Sequence, residues 1–361
     1  MSSYSLKDQF FNPAFSLKLA QLIQEDYPID ITQFTNKLNQ AYPRQELLER
    51  VTHTVTMIYE TLPQDYEKAL DILFKTASNI NGFQGIIFPQ YVSTYGLHHY
   101  DISLDALKFF TQYSTSEFAI RHFLKQDLLK TLTVMKGWAK DKNEHVRRLA
   151  SEGSRPRLPW SFKLIEIEKT PELCLNILEQ LKADDSEYVR KSIANHLNDI
   201  SKAHPQFLID VLSKWDLTQK HTKWIANHAM RTLIKQGNKE ALSLKGYGIS
   251  PSISIKKINI NPTLITLGDS LVFSFEIEST SQQLQNLNID YIIHYMKNNG
   301  KTAPKVFKLK ELILQANDKT LLKKKHAFKN FTTRKHYQGI HHIEILINGQ
   351  KFNKTSFELT L

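Results

Sequence analysis

The spacing of apolar residues changes once along this chain, and the change divides it into two parts with different secondary structure. Up to about residue 240, apolar residues recur every three or four positions, as in Phe15, Leu19 and Ile23. That period is typical of amphipathic helices. After the stretch 246–251, which contains glycine, serine and proline, the period becomes two, as in strands. A chain of 361 residues also exceeds the usual size of one core. The sequence therefore predicts two domains.

The helical part contains a repeated stretch. EHVRR, beginning at Glu144, recurs as EYVRK, beginning at Glu187, at an offset of 43 residues. Helical repeats with a period of about 40–47 residues are typical of HEAT-type solenoids. In such repeats we expect an aspartate to cap the second helix, the valine to pack inward and the arginine to reach the neighbouring repeat. A second similarity, between residues 193–196 and 225–228, has an offset of 32 that does not match the first. We predict an all-α HEAT-like repeat solenoid over residues 1–245.

The second part has the pattern of an all-β domain. Its segments rich in β-branched and aromatic residues are 253–260, 270–278, 288–297, 305–314, 320–328, 340–347 and 352–360. Turn signals separate them, among them Asn298-Asn299-Gly300 and Asn348-Gly349. Seven short strands at this spacing are typical of an immunoglobulin-like sandwich, although the cysteine pair and core tryptophan of antibody domains are missing. We predict such a sandwich over residues 250–361.

Composition and charge indicate the compartment and the partner. Cys174 is the single cysteine, which excludes an internal disulfide and fits a reducing compartment. Apolar runs are shorter than a membrane span, and the N-terminus lacks the apolar core of a signal peptide. We therefore expect a cytoplasmic protein that does not contact membranes. The net charge is +11, and residues 250–361 hold 16 Lys and Arg against 8 Asp and Glu. Such a surplus indicates a polyanionic partner, or else a lysine-rich soluble surface.

The sequence offers neither a set of metal ligands nor a phosphate-binding loop. In an extended strand the adjacent side chains of His98-His99 or His341-His342 would point to opposite faces, and no cysteine or acid cluster completes a ligand set. The 12 glycines form no Gly-rich phosphate loop. We expect no metal and no cofactor.

The stretch Ser151–Trp160, SEGSRPRLPW, places charged and aromatic residues close together. Gly153 is expected to end a helix that carries Glu152, and two prolines stiffen the loop after it. A carboxylate, two arginines and a large aromatic suit a ligand with an anionic edge and a planar, cationic centre. Alkylated DNA is such a ligand. The structural alternative is that the acid pairs with a repeat arginine and the tryptophan packs in a groove.

SEGSRPRLPW and the segment SEFAIR at Ser116–Arg121 resemble the AlkC-type DNA alkylation repair glycosylases, and the resemblance includes the two-domain order of the whole chain. It departs at His122, where a proline is expected. The resemblance implies a solenoid of HEAT-like repeats that holds duplex DNA on its concave face. It also implies hydrolysis of the bond between deoxyribose and an N3-methylated base, such as 3-methyladenine or 3-methylcytosine, without a metal or an organic cofactor.

The resemblance implies roles for individual residues. The family's lesion-facing positions correspond to Glu152, Asp199, Glu117 and Trp160. Its basic motif positions correspond to Arg155 and Arg157. We expect further phosphate contacts from Arg148, Arg190 and Lys191. In the second domain we expect DNA contacts from basic residues that interleave with Phe328, Phe331 and Tyr337, namely Lys323, Lys324, Lys325, Arg334 and Lys335. The alternative is an exposed strand whose lysines protect its edge.

Together these features predict a monomeric, monofunctional DNA-alkylbase glycosylase, a hydrolase whose partner is double-stranded DNA containing N3-methylated bases. Its carboxylates would stabilise an oxocarbenium-like transition state and position water. The alternative is a non-catalytic HEAT-repeat scaffold that binds DNA or protein, with an Ig-like docking module. The sequence leaves open which base is preferred and whether Glu152 or Asp199 positions the water.

Overall fold

The computed structural model describes residues 5–248, 250–329 and 335–361. Helices extend to Leu244 and strands begin at Ile253, which confirms the expected fold class. The α-helices of these residues are α1 (Leu6–Phe10), α2 (Pro13–Gln24), α3 (Ile31–Ala41), α4 (Leu47–Thr61), α5 (Tyr66–Ala77), α6 (Ile87–Tyr95), α7 (Tyr100–Phe110), α8 (Ile120–Gln126), α9 (Leu128–Trp138), α10 (Glu144–Gly153), α11 (Ile165–Lys169), α12 (Leu175–Leu181), α13 (Glu187–Ile200), α14 (Pro205–Ser213), α15 (Lys220–Ala229), α16 (Arg231–Lys235) and α17 (Lys239–Leu244). None of these helices is long and apolar enough to cross a membrane.

The chain forms two compact units. One contains the residues up to Ala203 together with Asp216–Ala229, and the other contains His204–Trp215 and Met230–Leu361. The helices α14, α16 and α17 thus belong to the unit that contains the strands. The division at residues 245–250 stays a prediction about the independently folding domains.

The 43-residue repeat is visible in the hydrogen bonds of α10 and α13. Arg147 in α10 donates to two backbone carbonyls in the turn before its helix, at 3.1 and 2.9 Å. Arg190 in α13 does the same at 2.8 and 2.7 Å. Arg147 also reaches the next repeat, where its Nε lies 2.7 Å from the Asp184 carboxylate. Val146 and Val189 are buried, as expected.

A further repeat follows at a shorter spacing. α15 packs against α13 as α13 packs against α10. Before each of the three helices an aspartate, Asp141, Asp184 or Asp216, accepts the backbone N–H two residues later, at 2.8, 2.9 and 3.0 Å. The similarity at an offset of 32 therefore reflects a true repeat. A search with one fixed period misses it because the connection from α13 to α15 is shorter than that from α10 to α13. The expected aspartate cap is wrong for both α10 and α13, because the N-caps are Asn143 and Ser186, whereas Asp141 and Asp184 order the preceding turns.

The strands form two sheets that pack on one core. They are β1 (Ile253–Ile255), β2 (Asn259–Asn261), β3 (Leu264–Thr266), β4 (Ser270–Ser279), β5 (Gln285–Met296), β6 (Thr302–Leu314), β7 (Lys319–Ala327), β8 (Gly339–Ile347) and β9 (Gln350–Thr360). One sheet has the order β1-β4-β2, with β7 also on β4, and the other has β3-β9-β8-β5-β6. Alternate residues such as Phe273, Phe275 and Phe357 fill the core. The sandwich is confirmed, but the described residues form nine strands where the pattern indicated seven. The segment 253–260 is divided between β1 and β2, and the three-residue β3 was missed.

The β8–β9 hairpin has the turn that its sequence indicates. Asn348 and Gly349 have φ values of 46° and 75°, both in the left-handed region that a two-residue type I′ turn requires. Gly349 has a second reason to be glycine. A Cβ there would lie 2.5 Å from the Cα of Gly237, after α16 in the same compact unit.

Candidate active site

Three carboxylates and two arginines form a continuous row in the helical unit, which we call the acid row. Arg148 Nη1 lies 2.5 Å from Glu117 Oε2, and its Nη2 lies 3.7 Å from Glu152 Oε1. Arg155 Nη1 lies 2.6 Å from Glu152 Oε1, and its Nη2 lies 2.8 Å from Asp199 Oδ2. The three acids implied by the resemblance are therefore brought together, with Arg148 between Glu117 and Glu152 and Arg155 between Glu152 and Asp199.

The acid row is almost closed to solvent. Glu117, Glu152 and Asp199 are 8, 6 and 3% exposed. Buried carboxylates need cationic or hydrogen-bonding partners, and the two arginines supply them. Burial alone would lower the pKa of Arg155, but the charges of Glu152 and Asp199 raise it above its ordinary value, so the guanidinium stays charged. Carboxylates fixed in this way present negative charge that is already oriented, which stabilises a cation developing beside them.

Helical spacing and repeat order bring the row together. Arg148 and Glu152 lie one turn apart on α10, and Asp199 lies near the end of α13, which packs alongside. Glu117 lies in the turn before α8, where its carboxylate also accepts a hydrogen bond of 2.7 Å from the Thr115 hydroxyl. The row thus depends on the packing of consecutive repeats.

Arg121 holds the loop that follows α10. This arginine is fully buried, and its Nη1 donates to the carbonyl oxygens of Gly153 and Arg155 at 3.1 and 2.6 Å. Its Nη2 donates to the carbonyl oxygen of Phe162. Burial, with the charge of Arg155, lowers the pKa of Arg121 to about 10, so it stays charged at neutral pH. The helix ends at Gly153 as expected, and a Cβ there would lie 2.5 Å from a methyl group of Ile120.

Trp160 lies in a strained turn of the loop that follows α10. Ser161 N donates to Leu158 O at 3.3 Å, so Pro159 and Trp160 occupy the two central positions of a turn. Trp160 has a φ of 65°, which costs about 1–2 kcal/mol for a residue other than glycine. Its side chain is 74% exposed and lines a cavity together with Thr115, the residue bonded to Glu117. Strain of this kind is concentrated at functional sites.

The structure places the other expected basic residues of the helical unit in different settings. Arg157 pairs with Glu168 at 2.5 Å, and the exposed Lys191 pairs with Glu187 at 2.7 Å. Arg190 binds backbone carbonyls before α13. Arg148 and Arg155 lie within the acid row rather than on an open surface. Phosphate contacts by these five residues stay predictions.

The lysines of β7 lie on opposite faces of their sheet. Lys323 and Lys325 are exposed, whereas Lys324 is half-buried and pairs across the sheet with Phe273 of the core. Lys335 is exposed, and its Nζ lies 5.7 Å from the ring centroid of Tyr337. Arg334 and Phe331 lie outside the described residues. DNA binding by these side chains also stays a prediction.

Several residues of the site carry no recognisable sequence signal. Arg121 ends the SEFAIR segment, but local sequence does not distinguish a buried arginine from an exposed one. The Arg148 guanidinium lies over the Tyr188 ring, 4.5 Å from its centroid. Lys202 Nζ lies 2.8 Å from Asp199 Oδ1.

Neither metal nor thiol chemistry has a visible site in the described part of the chain. Among the described residues, no group of three His, Cys, Asp or Glu side chains is placed to hold a metal ion. Cys174 is fully buried, and burial raises its pKa to about 12, so its thiol is not reactive.

Comparisons with known proteins cover both parts of the chain. The family model described as "DNA alkylation repair enzyme" matches residues 88–235, and the model described as "Uncharacterised protein YhaZ, C-terminal Ig-like domain" matches residues 254–361. The protein YhaZ of Bacillus subtilis (strain 168) is 44% identical over 353 residues, which are 97% of this chain and 98% of that relative. The structure of the alkylpurine DNA glycosylase AlkC of Pseudomonas fluorescens, bound to DNA containing an abasic site analog, matches with a TM-score of 0.96. That match has 43% identity and covers 99% of this chain and 100% of that chain.

Proposed function

Since the chain belongs to the AlkC-type family of DNA alkylation repair enzymes, we propose that it is a DNA glycosylase that removes N3-methylated bases from duplex DNA. The observation that carries the proposal is the acid row. It holds three oriented carboxylates, and the exposed Trp160 lines the cavity that Thr115, bonded to Glu117, also lines. Such an arrangement suits a reaction in which positive charge moves from the base to the sugar.

The proposed reaction breaks the bond between C1′ of the deoxyribose and the ring nitrogen of the methylated base. The bond's electron pair goes to the base, which was cationic and leaves neutral, and the sugar becomes an oxocarbenium-like cation. The acid row stabilises that cation. The indole of Trp160 adds an attraction of about 0.5–2 kcal/mol for a cation over its face.

Water completes the reaction by bonding to C1′, and its proton passes to a carboxylate of the acid row. Glu152 and Asp199 both suit this role because Arg155 holds both in position. Lys202 is ion-paired with Asp199, so its amine is held by that carboxylate, which argues against attack of the amine on the sugar. We therefore propose a monofunctional hydrolase acting on 3-methyladenine and 3-methylcytosine.

The proposed partner is double-stranded DNA, bound by a monomer in the cytoplasm. Arg157, Arg190 and Lys191 would contact phosphates in the helical unit, and the basic surplus of residues 250–361 would add electrostatic attraction.

The test is to replace the carboxylates without changing their shape. Glu152→Gln and Asp199→Asn should each lower the single-turnover rate of base release by about 10²–10³, because each removes one oriented charge. Affinity for abasic-site DNA should change little. Asp184→Asn is the matched control, since Asp184 also pairs with an arginine, Arg147, but lies outside the acid row. Normal excision by both site variants would refute the assignment of the acids.

The competing function, a non-catalytic scaffold, makes a different prediction. Incubation with methylated duplex DNA, followed by chromatography of the released bases, should yield free 3-methyl bases. A scaffold would bind the DNA and release none.

A further inference from the structure

A cavity of about 470 Å³ adjoins the acid row, and of the residues that line it only Trp160 takes part in the mechanism above. It is bounded by α4, α6, the 3-10 helix Gly82–Ile86, residues 115–122 and Trp160. Its volume lies within the range of about 300–1,000 Å³ that is typical of small-molecule sites.

The walls of the cavity are aromatic and neutral. Phe83, Phe118 and Trp160 supply aromatic surface, and Gln90 and Thr94 supply an amide and a hydroxyl. None of the described residues that line it is lysine, arginine, aspartate or glutamate. His122 also lines it. Partial burial, with the charges of Lys125 and Arg121, lowers the pKa of His122, so this ring is neutral at neutral pH. Such walls suit an uncharged planar molecule.

The cavity and the acid row share a boundary. Thr115 lines the cavity, and its hydroxyl donates to Glu117 at 2.7 Å and accepts from Arg148 at 3.3 Å. Trp160 forms another wall. A molecule that leaves the acid row on this side therefore meets the cavity next.

We infer that this cavity binds the free N3-methylated base after the glycosidic bond has broken, with its ring against the aromatic walls and its polar edge toward Gln90. The inference rests on the proposed function.

The change of charge during the reaction explains why the product, rather than the substrate, would occupy this cavity. Before cleavage the methylated base is a cation, which the acid row attracts. After cleavage the base is neutral and loses that attraction, while the neutral aromatic cavity keeps its affinity for a planar ring. A nucleotide phosphate would need cations, which the described lining does not contain.

The experiment uses the full chain and free 3-methyladenine. Equilibrium dialysis should show saturable binding without DNA, and the same base added to methylated DNA should inhibit base release. Thr94→Phe, which places a ring in the cavity, should weaken binding and inhibition at least tenfold. Thr133→Phe is the matched control. Both threonines are exposed helical residues whose hydroxyls donate to the carbonyl four residues earlier at 2.8 Å, but Thr133 lies on α9 away from the cavity.

A second variant keeps the test decisive if Thr94→Phe does not fold. Gln90→Leu removes the amide from the lining and should also weaken binding of the free base. The inference is overturned if free 3-methyladenine neither binds nor inhibits while methylated DNA is still cleaved. It is equally overturned if a folded Thr94→Phe or Gln90→Leu variant is inhibited as strongly as the unchanged chain. Absence of base release under all conditions would instead refute the proposed function.

Discussion

Trp160 combines an exposed side chain with a strained backbone, so little packing compensates for its conformation. A fully packed tryptophan would gain stability from burial, whereas this one is 74% exposed at a φ of 65°. The natural residue for such a turn position is glycine. We infer that the indole is retained for its contact with the ligand.

Replacing Trp160 separates the effect of its indole on base release from the effect of its strained backbone on stability. Trp160→Gly and Trp160→Ala both remove the indole, but only glycine adopts the left-handed conformation without strain. We expect the glycine variant to have a free energy of unfolding about 1 kcal/mol higher than the alanine variant, as measured by urea denaturation. Both should release base about tenfold more slowly. Equal stability of the two variants would contradict the strained turn.

Arg121 acts on the site through the backbone rather than through the substrate. Its guanidinium binds carbonyls at both ends of the loop that carries Arg155 and Trp160. Arg121→Met would leave those buried carbonyls without their donor, at a cost of about 1–3 kcal/mol for each unsatisfied group. We expect a lower rate of base release from the folded fraction, measured well below the melting temperature, with Arg121→Lys restoring part of the rate.

Arg50 provides the matched control for Arg121. It is also a buried arginine, and its Nη1 donates to the carbonyls of Lys7 and Phe11, far along the chain from the acid row. Arg50→Met should lower stability while leaving base release by the folded protein unchanged. If both variants reduce release equally at equal stability, Arg121 has no special role in positioning the loop.

At the scale of elements, α10 and α13 are also joined by hydrogen bonds between buried side chains and backbone. The hydroxyls of Ser151 and Ser192 lie 2.6 Å apart, and His196 Nδ1 donates to the carbonyl of Ser151 at 2.9 Å. Burial is the main cause that lowers the pKa of His196 to about 4. The fold therefore contains this imidazole in its neutral form.

This buried histidine predicts a dependence of stability on pH. In the unfolded chain the histidine pKa is about 6.5, so between that value and about 4 the unfolded state binds the additional proton. The contribution of the neutral imidazole to the free energy of unfolding is thus complete above pH 6.5. It is lost as the pH drops toward 4, by on the order of 3 kcal/mol in total. The free energy of unfolding, measured by urea denaturation, should differ less between pH 7 and pH 5 for His196→Asn than for the unchanged chain. His98→Asn, at an exposed position, should leave the difference as it is.

The repeat elements also show what periodicity predicts. EHVRR and EYVRK were recognisable at 43 residues because both helices keep the same capping turn and arginine contacts. The helix α15 fell outside that period because its connection is shorter, although Asp216 repeats the turn of Asp184. Element types follow from local pattern, whereas repeat spacing varies with loops that local pattern does not constrain.

At the scale of the whole molecule, the distribution of charge determines how the protein would bind DNA. The three consecutive lysines of β7 divide between two faces of the sheet, with Lys323 and Lys325 exposed and Lys324 half-buried. Each phosphate contact by a lysine adds about 0.9 to the slope of log affinity against log salt. The double variant Lys323→Gln/Lys325→Gln should therefore weaken DNA binding and reduce that slope by about one to two, measured by fluorescence anisotropy across a salt series.

Lys324 is the control for this prediction, because it is adjacent in sequence but pairs across the sheet with Phe273. Lys324→Gln should change the salt slope much less. An unchanged slope in the double variant would show that Lys323 and Lys325 do not contact DNA.

The sequence by itself determined the two-part order of helices and strands, the hairpin at Asn348-Gly349, the helix end at Gly153 and the family resemblance through SEGSRPRLPW. These features depend on residues close together along the chain, where apolar period, turn chemistry and backbone preference act directly. Only the tertiary structure decided that Arg155 joins Glu152 to Asp199, 44 residues away from that arginine, and that Arg121 holds a loop 32 to 41 residues further on. Contacts at such separation are set by how the repeats pack. Burial then excludes water from these acids and arginines and fixes their orientation.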